Sequence, residues 1–260
     1  MKENFIRVLG SADWHQTAYN DHSCYTVGDQ ILVDACPSVV TTLLEQGVDP
    51  VDIRLVLMTH MHSDHYMGLT PLLQYWRVCK DKDLSALTIA GPKDTLCKFL
   101  QMAMVFAFED ELAANVEKMP NIIEIEEGSQ IDFPPYKIQV GKGDHAVPDV
   151  IYRITDCKSG HAVGFTGDTR YLDSFPDFFR DIDLLVHEAS AGAGPINPTG
   201  NAGSRHSSAQ EAVKVCREGG VKNLLLTHSY EPNRKAALDA ARSQLTIPVD
   251  WAMPRHIYPY

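Results

Sequence analysis

Short apolar runs recur along this chain, and several are followed by stretches of helical period. In the first half they fall at 5–12, 23–27, 30–35, 53–60, 86–91 and 122–127. In the second half they fall at 136–145, 150–156, 162–168, 183–189, 223–228 and 247–252. Runs of this kind predict strands. Gly28-Asp29 between two of them marks a hairpin turn. Helical patterns cover 37–47, 64–79, 92–118, 207–219 and 234–244. Pro37 and Pro92 sit near first-turn positions, and Gly47 and Gly219 at expected C-termini. Hairpins mixed with strand–helix units predict an α/β protein with a sheet-rich core and helices outside. The segment 99–108, FLQMAMVFAF, is apolar on nearly every side. It reads as a core helix, with a homodimer face or a pocket wall as the alternative.

Composition narrows the class. The 260 residues fit one domain, 1–260, undivided by repeats, low-complexity tracts or charged linkers. No run of eighteen apolar residues exists, so no transmembrane helix is expected. The N-terminal stretch lacks the apolar core of an export signal, which leads to an expected cytoplasmic location. Cys24, Cys36, Cys79, Cys97, Cys157 and Cys216 are scattered and form no CxxC pair. They read as small, mostly buried hydrophobes and not as a disulfide framework or a structural zinc site. The net charge of −11 argues against a broad surface for phosphate backbones, whose affinity comes from Lys and Arg. A compact substrate suits it better.

The chemistry concentrates in Thr59 to His65, THMHSDH, directly after the apolar run IRLVLM. His60 and His62 are two apart, a spacing that points both rings to one side of an extended strand end. Asp64 and His65 then open a helix and offer a second pair of ligands. Imidazole and carboxylate suit zinc or a similar first-row ion. Four such residues in one turn are more than a hydrogen-bonded polar turn needs. Three other apolar runs also end on a ligand: His145 in VGKGDHAVPD, Asp168 in GFTGDTR and His228 in NLLLTHSY. Polar residues at the ends of buried strands are where α/β folds build sites. A carboxylate can bridge two ions where imidazole cannot. The count then balances with His60, His62 and His145 on one ion, Asp64, His65 and His228 on the other, and Asp168 shared.

In this order and over nearly the whole chain, these motifs resemble the metallo-β-lactamase fold superfamily. The resemblance implies an αββα sandwich of two mixed sheets with two metals at one edge. Asp168 stands where a true β-lactamase has Cys, and His62 stands where the diiron oxygen-reducing branch has Glu. LLVHEAS at 184–190 and RHSSAQEA at 205–212 look like the HEAT and HST motifs of the ribonuclease Z branch, as do GPKDTL and GFTGDTR. That likeness implies that His206 assists the leaving group and that Glu188 supports His206. A histidine held by a carboxylate can supply a proton to a developing oxyanion. The bland alternative for His206 is a neighbour of a helix cap at Ser207. The glycine-rich loop 190–206 could deliver His206 into the site. His187, one residue from Glu188, faces away if the run is a strand.

One departure matters. Ribonuclease Z carries a long basic arm between its third and fourth motifs, which grips transfer RNA. Here only the short turn DCKSGH separates the runs 150–156 and 162–168. Transfer-RNA processing is therefore the last of the alternatives. The expectation is a dinuclear hydrolase that uses water activated by two divalent ions on a small-molecule or short nucleotide phosphodiester, with Asp64 handling the water. Zinc is the expected ion, with manganese or iron as alternatives. Hydrolysis of a carboxylic ester or lactone needs the same ligands and is the alternative reaction. A non-catalytic scaffold is disfavoured, since all seven ligands are present. His15, His22 and Trp14 lie in SADWHQTAYNDHS, a polar loop whose Trp14 and His15 could reach the site rim, with an ordinary surface loop as the equal alternative; His161 and His256 are expected in solvent.

Overall fold

The three residues Ile31-Leu32-Val33 show how the chain layers itself. Ile31 and Val33 belong to one core cluster, Leu32 to another, and all three are buried. A strand alternates its side chains between faces, so this strand carries an apolar layer on each side. Leu184, Leu185 and Val186 divide in the same way. This is why the apolar runs show no alternation: strands buried on both faces are hydrophobic throughout.

The computed structural model describes residues 4–108, 119–194 and 205–260. Two seven-stranded sheets stack face to face. The first has, in order, β14 (Ile257–Pro259), β1 (Phe5–Gly10), β2 (Cys24–Val27), β3 (Ile31–Val33), β4 (Leu55–Leu57), β5 (Thr88–Pro92) and β6 (Asn121–Ile125). The second has β13 (Val249–Trp251), β12 (Leu224–Thr227), β11 (Leu184–Glu188), β10 (Ala162–Phe165), β9 (Val150–Asp156), β8 (Tyr136–Lys142) and β7 (Gln130–Phe133). The outer face of the first sheet packs on α1 (Val39–Glu45), α3 (Leu69–Gln74) and α4 (Leu96–Phe108). The outer face of the second packs on α5 (Phe175–Phe178), α6 (Ala209–Gly219) and α7 (Glu231–Arg242). The layers are helix, sheet, sheet, helix, the αββα sandwich that the resemblance implied.

Strands β3 to β6 run parallel, and so do β10 to β13. Strand β8 is antiparallel to β9, which is antiparallel to β10, so β8 runs with β10. The carboxyl ends of β4, β8, β10, β11 and β12 therefore lead to one edge of the sandwich, the place where open α/β sheets bind ligands.

Several expected boundaries change. The helix expected over 64–79 is three pieces: α2 (Ser63–Tyr66), α3, and a π-helical turn at Tyr75–Cys79. Gly68 marks the first break, where the chain crosses the end of β3. A Cβ at Gly68 would lie 2.1 Å from the Cys36 carbonyl oxygen. Pro92 still pairs within β5, so the next helix starts only at Leu96; residues 109–118 of that expected helix lie outside the described residues. Helix α4 buries Leu96, Leu100, Ala103 and Met104 but exposes Met102, Val105 and Phe106. The core reading of this helix holds for one face only. Helix α6 is capped by Ser208, not Ser207, through a capping box with Glu211. Strands β7 and β14 and the short α5 were not anticipated; QIDF and IYP mix polar residues or proline into edge strands. Cys24, Cys36 and Cys216 are buried, whereas Cys79 and Cys157 are exposed, so the buried reading holds for some of the thiols. Among the described residues, no helix is long and apolar enough to cross a membrane.

Candidate metal centre

Strand β4 stops after three residues for a local reason. Met58 N still donates to Ala90 O in the neighbouring strand, but Thr59 N donates to the side chain of Asp34 at 2.8 Å. The ladder is replaced by a carboxylate, and the chain turns inward. His60 and His62 lie in this turn, with His62 still in extended backbone, and Asp64 and His65 lie in the first turn of α2. Opposite, β10 leads through Thr166 into Gly167-Asp168. Gly167 has φ +55°, and a Cβ there would sit 2.6 Å from Thr59 Cβ. Only glycine lets the two sheets approach closely enough for Asp168 to reach the histidines. His145 follows β8, and His228 follows β12 with φ 50°.

The side chains meet. His62 Nδ1 and His145 Nε2 are 3.1 Å apart. Asp168 Oδ2 lies 3.2 Å from His228 Nε2 and 3.9 Å from His60 Nε2, while its Oδ1 lies 3.5 Å from His65 Nε2. Asp64 Oδ2 lies 3.5 Å from His65 Nε2 and 3.6 Å from His228 Nε2. Among the described residues, four groups have donor atoms within 4.8 Å of one another, and two of them are His60, His62 and His145, and Asp64, His65, Asp168 and His228. Tetrahedral ligation at about 2.0–2.1 Å separates ligand atoms by roughly 3.4 Å, and the observed separations straddle that value. His60 Nε2, His65 Nε2, His228 Nε2, Asp168 Oδ1 and both Asp64 oxygens are buried without a hydrogen-bond partner. Buried polar atoms are nearly always paired. So many orphans converging on one space fit a cation.

The far side of four of the five imidazoles, His60, His65, His145 and His228, is tied down. His65 Nδ1 donates to Asp34 Oδ2 at 2.8 Å, and His60 Nδ1 to Thr59 Oγ1 at 3.1 Å, whose hydroxyl in turn donates to Asp34. His145 Nδ1 donates to Arg205 O at 3.0 Å, and His228 Nδ1 to Ser190 Oγ at 2.8 Å. Each bond sets the tautomer that leaves Nε2 free as a lone pair, the usual outer support of a metal ligand. Asp34, Thr59 and Ser190 escaped the sequence reading. Asp34 ends an apolar run as Asp168 does, and the same criterion would have found it.

Charge divides the site in two. Burial, together with the neighbouring imidazoles, holds the pKa values of His60, His62 and His145 below the usual histidine range. These three are neutral and ready to ligate. Burial would also lower His65 and His228, but Asp168 and the carboxylates of Asp34 and Asp64 outweigh it and raise both. Burial would raise Asp168 and Asp64, yet the facing histidines hold both low. Protons on His65 and His228 thus balance two buried carboxylates, and a divalent cation would displace those protons.

At the rim, His206 Nδ1 donates to Glu188 Oε1 at 2.9 Å. Glu188 is fully buried, and it also accepts from Thr169 N at 2.7 Å and Ser190 N at 3.1 Å. Burial pulls the His206 pKa down, but the Glu188 carboxylate outweighs it and pushes the pKa up to about 9. One ring nitrogen of His206 lies within 4.8 Å of donor atoms of His145 and Asp168. Most of the loop expected to deliver His206 lies outside the described residues, 195–204. His187 faces the opposite side, 6.5 Å from the Phe175 ring between centroids. Trp14 and His15 stand at the rim and are largely exposed, His22 is buried, and His161 and His256 are exposed. The burial of His22 departs from the surface-loop reading.

The family model described as a beta-lactamase superfamily domain matches residues 29–229. Ribonuclease Z of Pyrococcus abyssi is 23% identical over 248 residues, covering 77% of each chain. Ribonuclease Z of Clostridioides difficile is 25% identical over 245 residues, covering 77% of this chain and 79% of the relative. The metallo-beta-lactamase fold protein YhfI of Bacillus subtilis superposes with a TM-score of 0.82 at 24% identity, over the full length of both chains. With a match across the span that carries His60 to His228, the chain belongs to the beta-lactamase superfamily, as a ribonuclease Z-like metal-dependent hydrolase.

Proposed function

We propose that the chain hydrolyses phosphodiesters of small or nucleotide size, with two divalent ions, zinc first among them, held by His60, His62 and His145, by Asp64, His65 and His228, and by Asp168 between them. These ligands come from both sheets, so we take 1–260 as one domain. When bound, such ions provide Lewis acidity and lower the pKa of water toward neutrality. The protein's own residues do the rest. Asp64, whose two oxygens accept no hydrogen bond, orients the attacking water and takes its proton. His206 spends Nδ1 on Glu188 and keeps Nε2 for the leaving oxygen. Glu188 holds His206 protonated, so a proton is at hand when the phosphorus–oxygen bond breaks.

The observation that carries the reading is this His206–Glu188 pair. Metal ligands alone serve a carbonyl as well as a phosphate, but a charged imidazolium beside them favours a substrate that is an anion with a poor leaving oxygen. The short β9–β10 hairpin, closed by Asp156 N donating to His161 O, and the net charge of −11 favour a compact substrate over extended RNA. The test is hydrolysis of bis(p-nitrophenyl) phosphate and a lactone side by side, with metal content determined on the same sample. The expected result is two ions per chain and cleavage of the phosphodiester. Two ions with only the lactone cleaved would move the assignment to a carbonyl substrate.

A further inference from the structure

Loop 11–22 buries several of its polar residues while exposing its largest apolar one. Its polar residues Ser11, Asp13, Asn20 and His22 are buried, while Trp14 is 59% exposed. The buried residues brace the loop. Asn20 Oδ1 accepts from Ser11 N at 3.0 Å, Asp13 O accepts from His22 Nδ1 at 2.8 Å, and Asp13 Oδ1 accepts from His15 N at 2.8 Å. Asp21 O takes Ser11 N and Ala12 N, each at 3.0 Å, and Ser11 O takes His228 N at 3.0 Å. A frame fixed to the metal edge thus holds an indole in water. An exposed aromatic ring held rigidly beside the opening of a site offers a ligand a large contact face at little entropic cost.

Its placement says what it would bind. The Trp14 ring lies 6.3 Å from the His62 ring between centroids, tilted by 53°. Among the seven proposed ligands only His62 is not buried, so the centre opens to solvent on that side. The next residue, His15, packs on Tyr230 at 4.5 Å, two residues past His228. The loop therefore runs along the rim from one half-site to the other, with the indole at the opening. A phosphate on the ions has no use for an indole. A flat heterocycle attached to that phosphate does, because bases stack on aromatic side chains whatever their sequence.

We propose that Trp14 is the platform on which the nucleobase of a nucleotide ester stacks, making it a specificity-determining residue of this site. The inference rests on the phosphodiesterase reading for its kinetic test, and on binding alone for its second test. Thymidine 5′-(p-nitrophenyl phosphate) and methyl p-nitrophenyl phosphate share a leaving group, but only the first carries a base. Trp14→Ala should lower the ratio of their kcat/KM values by about 5- to 150-fold, the range of one stacked base, chiefly through KM. Trp14→Phe should restore most of it. An unchanged ratio overturns the proposal. The second test needs no turnover. Trp76 and Trp251 are buried, so AMP should quench the exposed Trp14 emission, ribose 5-phosphate should not, and Trp14→Phe should abolish the quench. Selective quenching with no phosphodiester cleavage would keep the platform and retire the phosphodiesterase reading. Cleavage with equal effects of AMP and ribose 5-phosphate would do the reverse.

Discussion

His206 owes its chemistry to one neighbour. Without Glu188 its burial would favour the neutral ring; with Glu188 it keeps its proton up to about pH 9. His206→Ala should therefore cut kcat by about 10²-fold or more on an alkyl leaving group. The loss should be much smaller on p-nitrophenolate, which leaves without a proton. On the alkyl ester, kcat of the parent protein should fall as pH rises through about 9, and the variant should lack that limb. Steady-state rates on the two esters across pH check both statements; equal losses on the two would remove His206 as the acid. Asp34 acts one step further out. It receives His65 Nδ1, Thr59 N and Thr59 Oγ1, and through Thr59 it also sets His60. One carboxylate thus orients a ligand of each half-site. Asp34→Ala should weaken metal binding by about 10- to 100-fold, measured by chelator competition on protein whose melting confirms that it folds.

Single turns decide the placement of whole elements. The Gly167 turn brings the end of β10 onto Thr59, at the end of β4. Gly167→Ala adds a left-handed residue and a Cβ contact that cannot be relieved without parting the sheets. The expected cost is about 1–3 kcal/mol of stability, together with loss of metal, because Asp168 is displaced. Denaturant midpoints and metal content on the same preparation test this. Full metal occupancy at a lowered midpoint would show that the turn serves the fold and not the site.

The proposed ligands come from both sheets and meet at one edge of the whole molecule. With those ligands unmetallated, buried carboxylates face buried histidines across the layer boundary. At 100 times its dissociation constant, one bound ion stabilises by about 2.7 kcal/mol. In a chain of this size that is roughly 5–10 °C in melting temperature, and thermal melts before and after chelation should show it. Away from the candidate metal centre, Asp183 joins the start of β11 to its neighbours through Lys222 Nζ and Ala162 N, both at 2.8 Å, and His161 at 3.1 Å. Burial would raise its pKa, but Lys222, Ala162 N and His161 outweigh burial and lower it. The folded pKa lies below the unfolded one, so this stability is present above about pH 4 and is lost as pH falls through the folded value. Asp183→Asn should lower stability at pH 7 by about 1–2 kcal/mol and flatten the acid limb of the stability profile. An acid limb as steep as the parent's would remove Asp183 as its source.

The sequence by itself determined the apolar runs, the candidate ligands at the ends of some of them, and their order, because strands buried on both faces must be hydrophobic and sites gather at strand ends. HxHxDH with His145, Asp168 and His228 was legible for that reason. Asp34 was legible in principle by the same rule, since it directly follows the apolar run Ile31–Val33. Only the tertiary structure decided that Gly68 breaks the 64–79 helix, since the obstacle is a carbonyl from residue 36. It alone set Trp14 in water beside His62 and His15 against Tyr230. Those outcomes depend on contacts between residues far apart in the chain, and no local pattern encodes such contacts.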